Sequence, residues 1–229
     1  MSSSTTGVTS STHPATSPTR FLRVALIAAL AAACAAIVFD LLVAERIVDR
    51  AIRAEAHART AMAMPEPFGR RAQRGGLVVG ELVFGLGVAL LLAGAATFAG
   101  GRRAARLWLV LTAACAWAVL VLPAVKYPPL PPGVETDAAI GERQVAYLGL
   151  VAAGLLGAAA ATRAWRKRAR MPAVLTLAVP AALAVVLLPG RGVHGRVPTD
   201  FRVASIATQA LFWLVLATVG VLLLRRAQT

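Results

Sequence analysis

The chain has 229 residues, 58% of them hydrophobic and only 15% charged, with a formal net charge of +14. That composition belongs to a polytopic membrane protein and excludes a single soluble core, which would not carry so many continuous apolar runs. It also argues against a nucleic-acid partner: aromatics are only 6%, and the Arg residues sit in short loops between apolar runs instead of alternating with stacking residues.

Residues 1–20 are rich in Ser and Thr and have no apolar period, so they read as a disordered cytoplasmic tail. Residues 21–226 read as one membrane domain. A spanning helix needs about 20 mostly apolar residues. Six runs meet or approach that length: about Phe21–Val43, Leu77–Ala99, Leu107–Val125, Val145–Ala164, Pro172–Leu188 and Val203–Leu224. The fifth is the weakest, with Pro172 at its start and Pro180 inside, where a kink is expected. A five-helix alternative makes that segment re-entrant and puts the chain ends on opposite sides.

Charge favours six. The tail, the second and fourth loops and the C-terminal end together hold 12 basic residues and no acid. The other side also holds 12 basic residues, diluted by Glu45, Asp49, Glu55, Glu66, Glu135, Asp137, Glu142 and Asp200. Dense basic short loops face the cytoplasm, so both termini are expected inside and the carboxylates on or near the outer side. The expected fold is therefore all-α, six transmembrane helices, N-in/C-in, with a Pro-rich outer loop between the third and fourth helices.

Asp40 and Glu81 are the acids that fall inside apolar runs. A carboxylate at mid-membrane costs about 2.5–3.5 kcal/mol on insertion scales, less toward the interface. Asp40 is expected about one turn below the end of the first helix and Glu81 about one turn below the start of the second. If those helices are antiparallel neighbours, the two acids share a depth. They then form either a cation or proton site, or interfacial acids paired with Arg46, Arg50 or Arg74. Beyond Glu45 the sequence has no helix breaker before Pro65, so the first helix is expected to continue. There Asp49 pairs with Arg53, and Arg46, Arg50, Arg53 and His57 form one stripe. The segment from Lys126 to Gly133 holds four prolines and reads as an extended, polyproline-like path.

His57 and His194 fall on the same expected side as the acids. Imidazole and carboxylate together suit borderline divalent ions such as cobalt, nickel or zinc. The plainer reading is solvated loop histidines. Gly76, Gly80, Gly87 and Gly94 make a smooth stripe on the second run, where another helix can approach closely. Ser205, Thr208 and Gln209 form a polar stripe on the last run, either interhelical hydrogen bonding or the lining of a pathway. Cys34 and Cys115 are isolated within apolar runs and support no disulfide framework or zinc knuckle. The chain has no Walker motif, GxSxG or HExxH, and reads as no enzyme.

Three stretches, Ala44–His57, Pro123–Gly141 and Phe201–Trp213, together resemble the CbtA family, a proposed subunit of a cobalt transporter. The Lys126-Tyr-Pro-Pro-Leu-Pro-Pro element followed by Ile140-Gly141 is the most specific part. The resemblance implies a multi-pass protein of the bacterial cytoplasmic (inner) membrane, linked to cobalt uptake. It also implies a small single-span CbtB-like partner carrying histidine. Family members often have a longer, histidine-rich first loop; here His57 stands alone in it.

The leading expectation is a permease-like subunit that takes up a divalent transition-metal cation, cobalt first. Asp40 and Glu81 would supply oxygen ligands, Glu45, Asp49 and His57 a capture rim, and His194 a further ligand. No tightly bound cofactor is expected, only the transported cation. The rival is a non-transporting scaffold that organises a partner helix, using the glycine stripe and the Ser/Thr/Gln face.

Overall fold

The computed structural model describes residues 17–47, 70–99, 104–127, 129, 140–167, 170–187 and 199–226. All regular structure among them is helical. Helix α1 (Pro18–Phe39) runs into a π-helical turn (Asp40–Ala44). Helix α2 is Arg70–Ala99. Helix α3 (Ala104–Ala116) continues through a second π turn (Trp117–Val121) into a short α4 (Leu122–Lys126). Then come α5 (Ile140–Arg166), α6 (Arg170–Leu187) and α7 (Thr199–Arg226).

Five stretches are long and apolar enough to cross a membrane: Pro18–Ile47, Arg74–Thr97, Ala104–Lys126, Gln144–Ala164 and Thr199–Arg226. The sixth, Met171–Leu187, is apolar but shorter, and it stays helical through Pro180. The helical rods outrun the apolar runs that mark them in the sequence. The first continues past Glu45 to Ile47, and α2 begins at Arg70 instead of Leu77. Long basic side chains can bury their stems and keep the charge at the interface, so Arg at a helix end need not end the helix.

Local signals fix several ends. Ser17 caps α1, its hydroxyl accepting the Arg20 N–H at 3.3 Å, with Pro18 in the first turn. Asp200 sits in the first turn of α7 and Arg225 and Arg226 in its last, each matching the sign of the helix dipole.

The body is organised inside out relative to a soluble protein. Helix α1 packs against α2 on one side and α7 on the other, and α3 packs against α7. Its contact face is alanine: Ala25, Ala28, Ala29, Ala32, Ala33 and Ala36 are all buried. The large apolar residues Ile27, Leu30 and Val38 point away. Lipid tails are as apolar as Leu, so small residues that let backbones approach gain more by facing another helix. Larger side chains enter the core where rings interlock. Phe84 and Phe212 lie 5.1 Å apart, and Phe212 meets Trp213 edge-on at 5.5 Å. Trp108 is fully buried and donates its indole N–H to the Leu216 carbonyl at 3.2 Å. The α5–α6 pair is a second unit of packing, held to the end of the third rod through the α4 and π-turn contacts. Gly154 allows this: a Cβ there would lie 2.9 Å from Ala118 Cα.

The glycine stripe makes no contact with the other described residues. A Cβ at Gly76, Gly80, Gly87 or Gly94 would meet nothing within 4 Å, whereas at Gly85 it would lie 3.3 Å from the Ala29 carbonyl oxygen. Helix α2 therefore turns its Gly85 side to α1, because Ala29 and Ala33 leave space there for a glycine backbone.

Candidate functional site

Asp40 opens the π turn of the first rod, and Glu81 lies on the antiparallel α2 beside it. Asp40 lies seven residues before Ile47 and Glu81 seven residues after Arg74. At about 1.5 Å per residue, each acid sits roughly 10 Å along its rod from that end. The helical extensions beyond the two apolar runs are tied together by an ion pair. Arg74 donates from Nε to Glu45 Oε1 at 2.6 Å and from Nη2 at 2.5 Å. Arg74 is thus the partner of Glu45, and neither Asp40 nor Glu81 is paired with it.

Asp40 is instead satisfied from across the bundle. The Thr208 hydroxyl donates to Asp40 Oδ1 at 2.5 Å, a contact between residues 168 positions apart. Both side chains are buried. Thr208 reaches Asp40 because α7 packs along α1 with its Ser205–Thr208–Gln209 stripe turned inward. Glu81 is only half-buried, yet its Oε2 is shielded from solvent and has no hydrogen-bond partner among the described residues. A buried acceptor left without a donor costs about 1–3 kcal/mol, more when charged, so such an atom invites a ligand.

These groups line one cleft of about 510 Å³. Asp40, Glu81, Ser205, Thr208, Gln209, Tyr127 and Tyr147 provide its oxygens, and Phe84, Leu120 and Pro123 are among its apolar walls. Both π turns border it, the first through Asp40 and the second through Val119 and Leu120. Widened turns of this kind recur at functional sites. Tyr147 braces the second, donating its hydroxyl to the Val119 carbonyl at 3.2 Å. Sequence reasoning passed over Tyr147; its one signal was a hydroxyl-bearing ring in an Ala-, Gly- and Leu-rich helix.

The other candidate residues are not gathered here. Glu45 is held by Arg74 and is not part of the lining. Asp49, His57, His194 and most of the Pro-rich loop lie outside the described residues. Among the described residues no three of His, Cys, Asp and Glu converge as a ligand set. Asp200 is exposed and makes no ion pair with Arg202. Cys34 and Cys115 are both free thiols, and neither lines the cleft.

A family model described as probable cobalt transporter subunit (CbtA) matches residues 19–225, nearly the whole chain. The chain belongs to the CbtA family. No curated protein and no solved structure matches it. With its long apolar helices, this CbtA member is a multi-pass membrane protein of a family tied to cobalt transport.

Proposed function

We propose that the chain is the permease-like subunit through which a divalent transition-metal cation, cobalt first, crosses the cytoplasmic membrane inward. The observation that carries this reading is the cleft itself. Two carboxylates from adjacent helices, one with a buried oxygen that has no partner among the described residues, share an oxygen-lined space within the membrane-spanning body. Ionisable groups within membrane-spanning segments are expensive and mark ion pathways. The family description supports the cargo. The proposed topology is six spans, with the short Met171–Leu187 helix as the fifth and both termini cytoplasmic, so the cleft opens toward the outer side. Glu45, Asp49 and His57 are proposed as a capture rim, with His194 as a further ligand. The word subunit in the family description supports a partner, proposed as a small single-span protein. No catalytic step is assigned.

The test is cobalt accumulation in cells lacking other cobalt importers, with the chain expressed alone and with its candidate partner. Wild type is compared with the Asp40→Asn/Glu81→Gln double variant at matched membrane expression. Uptake by wild type and its collapse to background in the variant is the expected result. Equal uptake by both would move the path out of the cleft.

The scaffold reading keeps one specific support. A Cβ at Gly76, Gly80, Gly87 or Gly94 would meet nothing within 4 Å among the described residues, which leaves a smooth face on α2 for another helix. Absence of uptake in every setting, with a partner still recovered in complex, would favour it.

A further inference from the structure

We infer that the ring cluster Phe84–Phe212–Trp213 is the seal of the transport path: it closes the floor of the cleft and has to part before a cation can go further. The inference rests on the cation-transport reading above and adds to it the barrier beyond the site.

The cleft is a dead end. Its lining comes from the same end of each rod that contributes: Asp40 near the close of the first, Leu120 to Tyr127 of the third, Glu81 on the leading part of α2, and Ser205 to Gln209 on that of α7. A turn or so further along, the body is closed. On α2, Glu81 and Phe84 are half-buried, whereas Val88 and Leu92, which continue the same stripe at helical spacing, are 5% and 0% exposed. On α7, Gln209 gives way to Phe212 and Leu216, both fully buried, and on α1 Asp40 is preceded by the fully buried Ala36.

Rings make the floor. Phe84 lines the cleft and packs on Phe212 at 5.1 Å, tilted by 56°, and meets Trp213 edge-on at 6.4 Å. Phe212 and Trp213 in turn lie 5.5 Å apart, so the three rings close on one another. Helices α2 and α7 each pack on α1 but not closely on each other, and the rings span the gap between them. An apolar constriction of this kind stops ions by excluding water, with no fixed charge needed. It can part by ring rotation or by a small sliding of α7 along α1, with the alanine contact left in place.

The interior beyond the floor carries a second sign. Trp213 Nε1 and Thr112 Oγ1 are buried and have no hydrogen-bond partner among the described residues. Trp213 lies a turn beyond Gln209, and Thr112 about two turns from Leu120 on the side of Trp108, so both are past the cleft. A permanently dry core gains nothing from unpartnered polar atoms. Water entering past a parted floor would satisfy both.

The experiment uses the full chain with Cys34→Ala and Cys115→Ala, in lipid nanodiscs, and a water-soluble cationic methanethiosulfonate as the probe. Ser205→Cys reports the cleft and Val88→Cys the interior one turn past Phe84. With the rings intact, Val88→Cys should react at least about tenfold more slowly than Ser205→Cys, and Phe84→Ala or Phe84→Gln should remove that protection. Phe84→Gln keeps most of the volume and carries an amide that can reach the cleft, so it serves if Phe84→Ala does not fold. Phe21→Ala is the control: it removes another core ring, 5.5 Å from Trp108, and should leave Val88→Cys protected. In proteoliposomes, downhill Co²⁺ flux should rise at least about threefold in both Phe84 variants. Val88→Cys reacting as fast as Ser205→Cys with the rings intact would overturn the inference and leave the transport reading standing. Equal exposure by Phe21→Ala would mean general loosening of the core and overturn it too, as would exposure by the Phe84 variants with Co²⁺ flux unchanged. Absence of Co²⁺ flux in every form, including the ring-intact chain, would remove the transport reading and the inference with it.

Discussion

Replacing Thr208 with Val keeps the branched shape of the side chain and removes the hydroxyl that donates to Asp40 Oδ1 at 2.5 Å. The magnitude follows from the setting of that bond. Neutral interhelical hydrogen bonds in membranes average about 0.6 kcal/mol in double-mutant cycles. A charged acceptor roughly doubles the strength. Asp40 is only 9% exposed, so water cannot readily replace the lost donor. Burial moves the value toward the upper range for bonds to charged groups, about 1.5–3 kcal/mol. A coupling of about 1–3 kcal/mol between Thr208→Val and Asp40→Ala is therefore expected. The cycle comprises both single variants and the double variant, with stability read from reversible unfolding in mixed detergent micelles. Cavity effects at Asp40 occur in both arms and cancel. A coupling below about 0.5 kcal/mol, no larger than a neutral membrane bond, would refute the placement of α7 against the π turn of the first rod.

Two further outcomes test the packing and the end of the hairpin. Gly220→Ala should cost about 1–3 kcal/mol by overpacking, because the new Cβ would lie 2.0 Å from Trp108 Cε2 in a fully buried ring. Gly87→Ala, whose new Cβ would meet nothing within 4 Å, should not destabilise and should gain up to about 0.5–1 kcal/mol from helix propensity in the same unfolding assay. If the two alanines behave alike, the assigned faces of α7 and α2 are wrong. The Glu45–Arg74 pair has an Arg side chain 57% exposed. Its coupling should be only about 0.2–1 kcal/mol and should shrink as salt is raised. A large, salt-independent coupling would mean that the hairpin end is far better shielded than this geometry allows.

Much of the site was legible before any coordinate. Asp40 and Glu81 stood out because a carboxylate inside an apolar run needs compensation. The Ser205–Thr208–Gln209 stripe stood out because three polar residues recur at helical spacing on an apolar helix. Their conjunction was not legible. Nothing in the sequence says that the last helix packs beside the first, so the donor to Asp40 could not be chosen among Thr208 and the nearby arginines. The role of the glycine stripe was not legible either, for a related reason. Period-seven glycines mark a smooth face, but a partner is needed to make that face a contact, and the contact belongs to Gly85.

By itself, the sequence determined what the bilayer dictates to any chain: apolar helical segments, basic loops segregated from the acids, and two carboxylates set within the first hairpin. These follow from the cost of unsatisfied backbone and charge in lipid, which is local and reads residue by residue. Only the tertiary structure decided which helices touch, which faces look inward, and that Asp40, Glu81 and Thr208 border one cleft. In a membrane the inner and outer faces of a helix are both apolar, so hydrophobic periodicity no longer tells inside from outside. Helix pairing is then settled by close approach of small residues and by a few buried hydrogen bonds, and those exist only once the chain has folded.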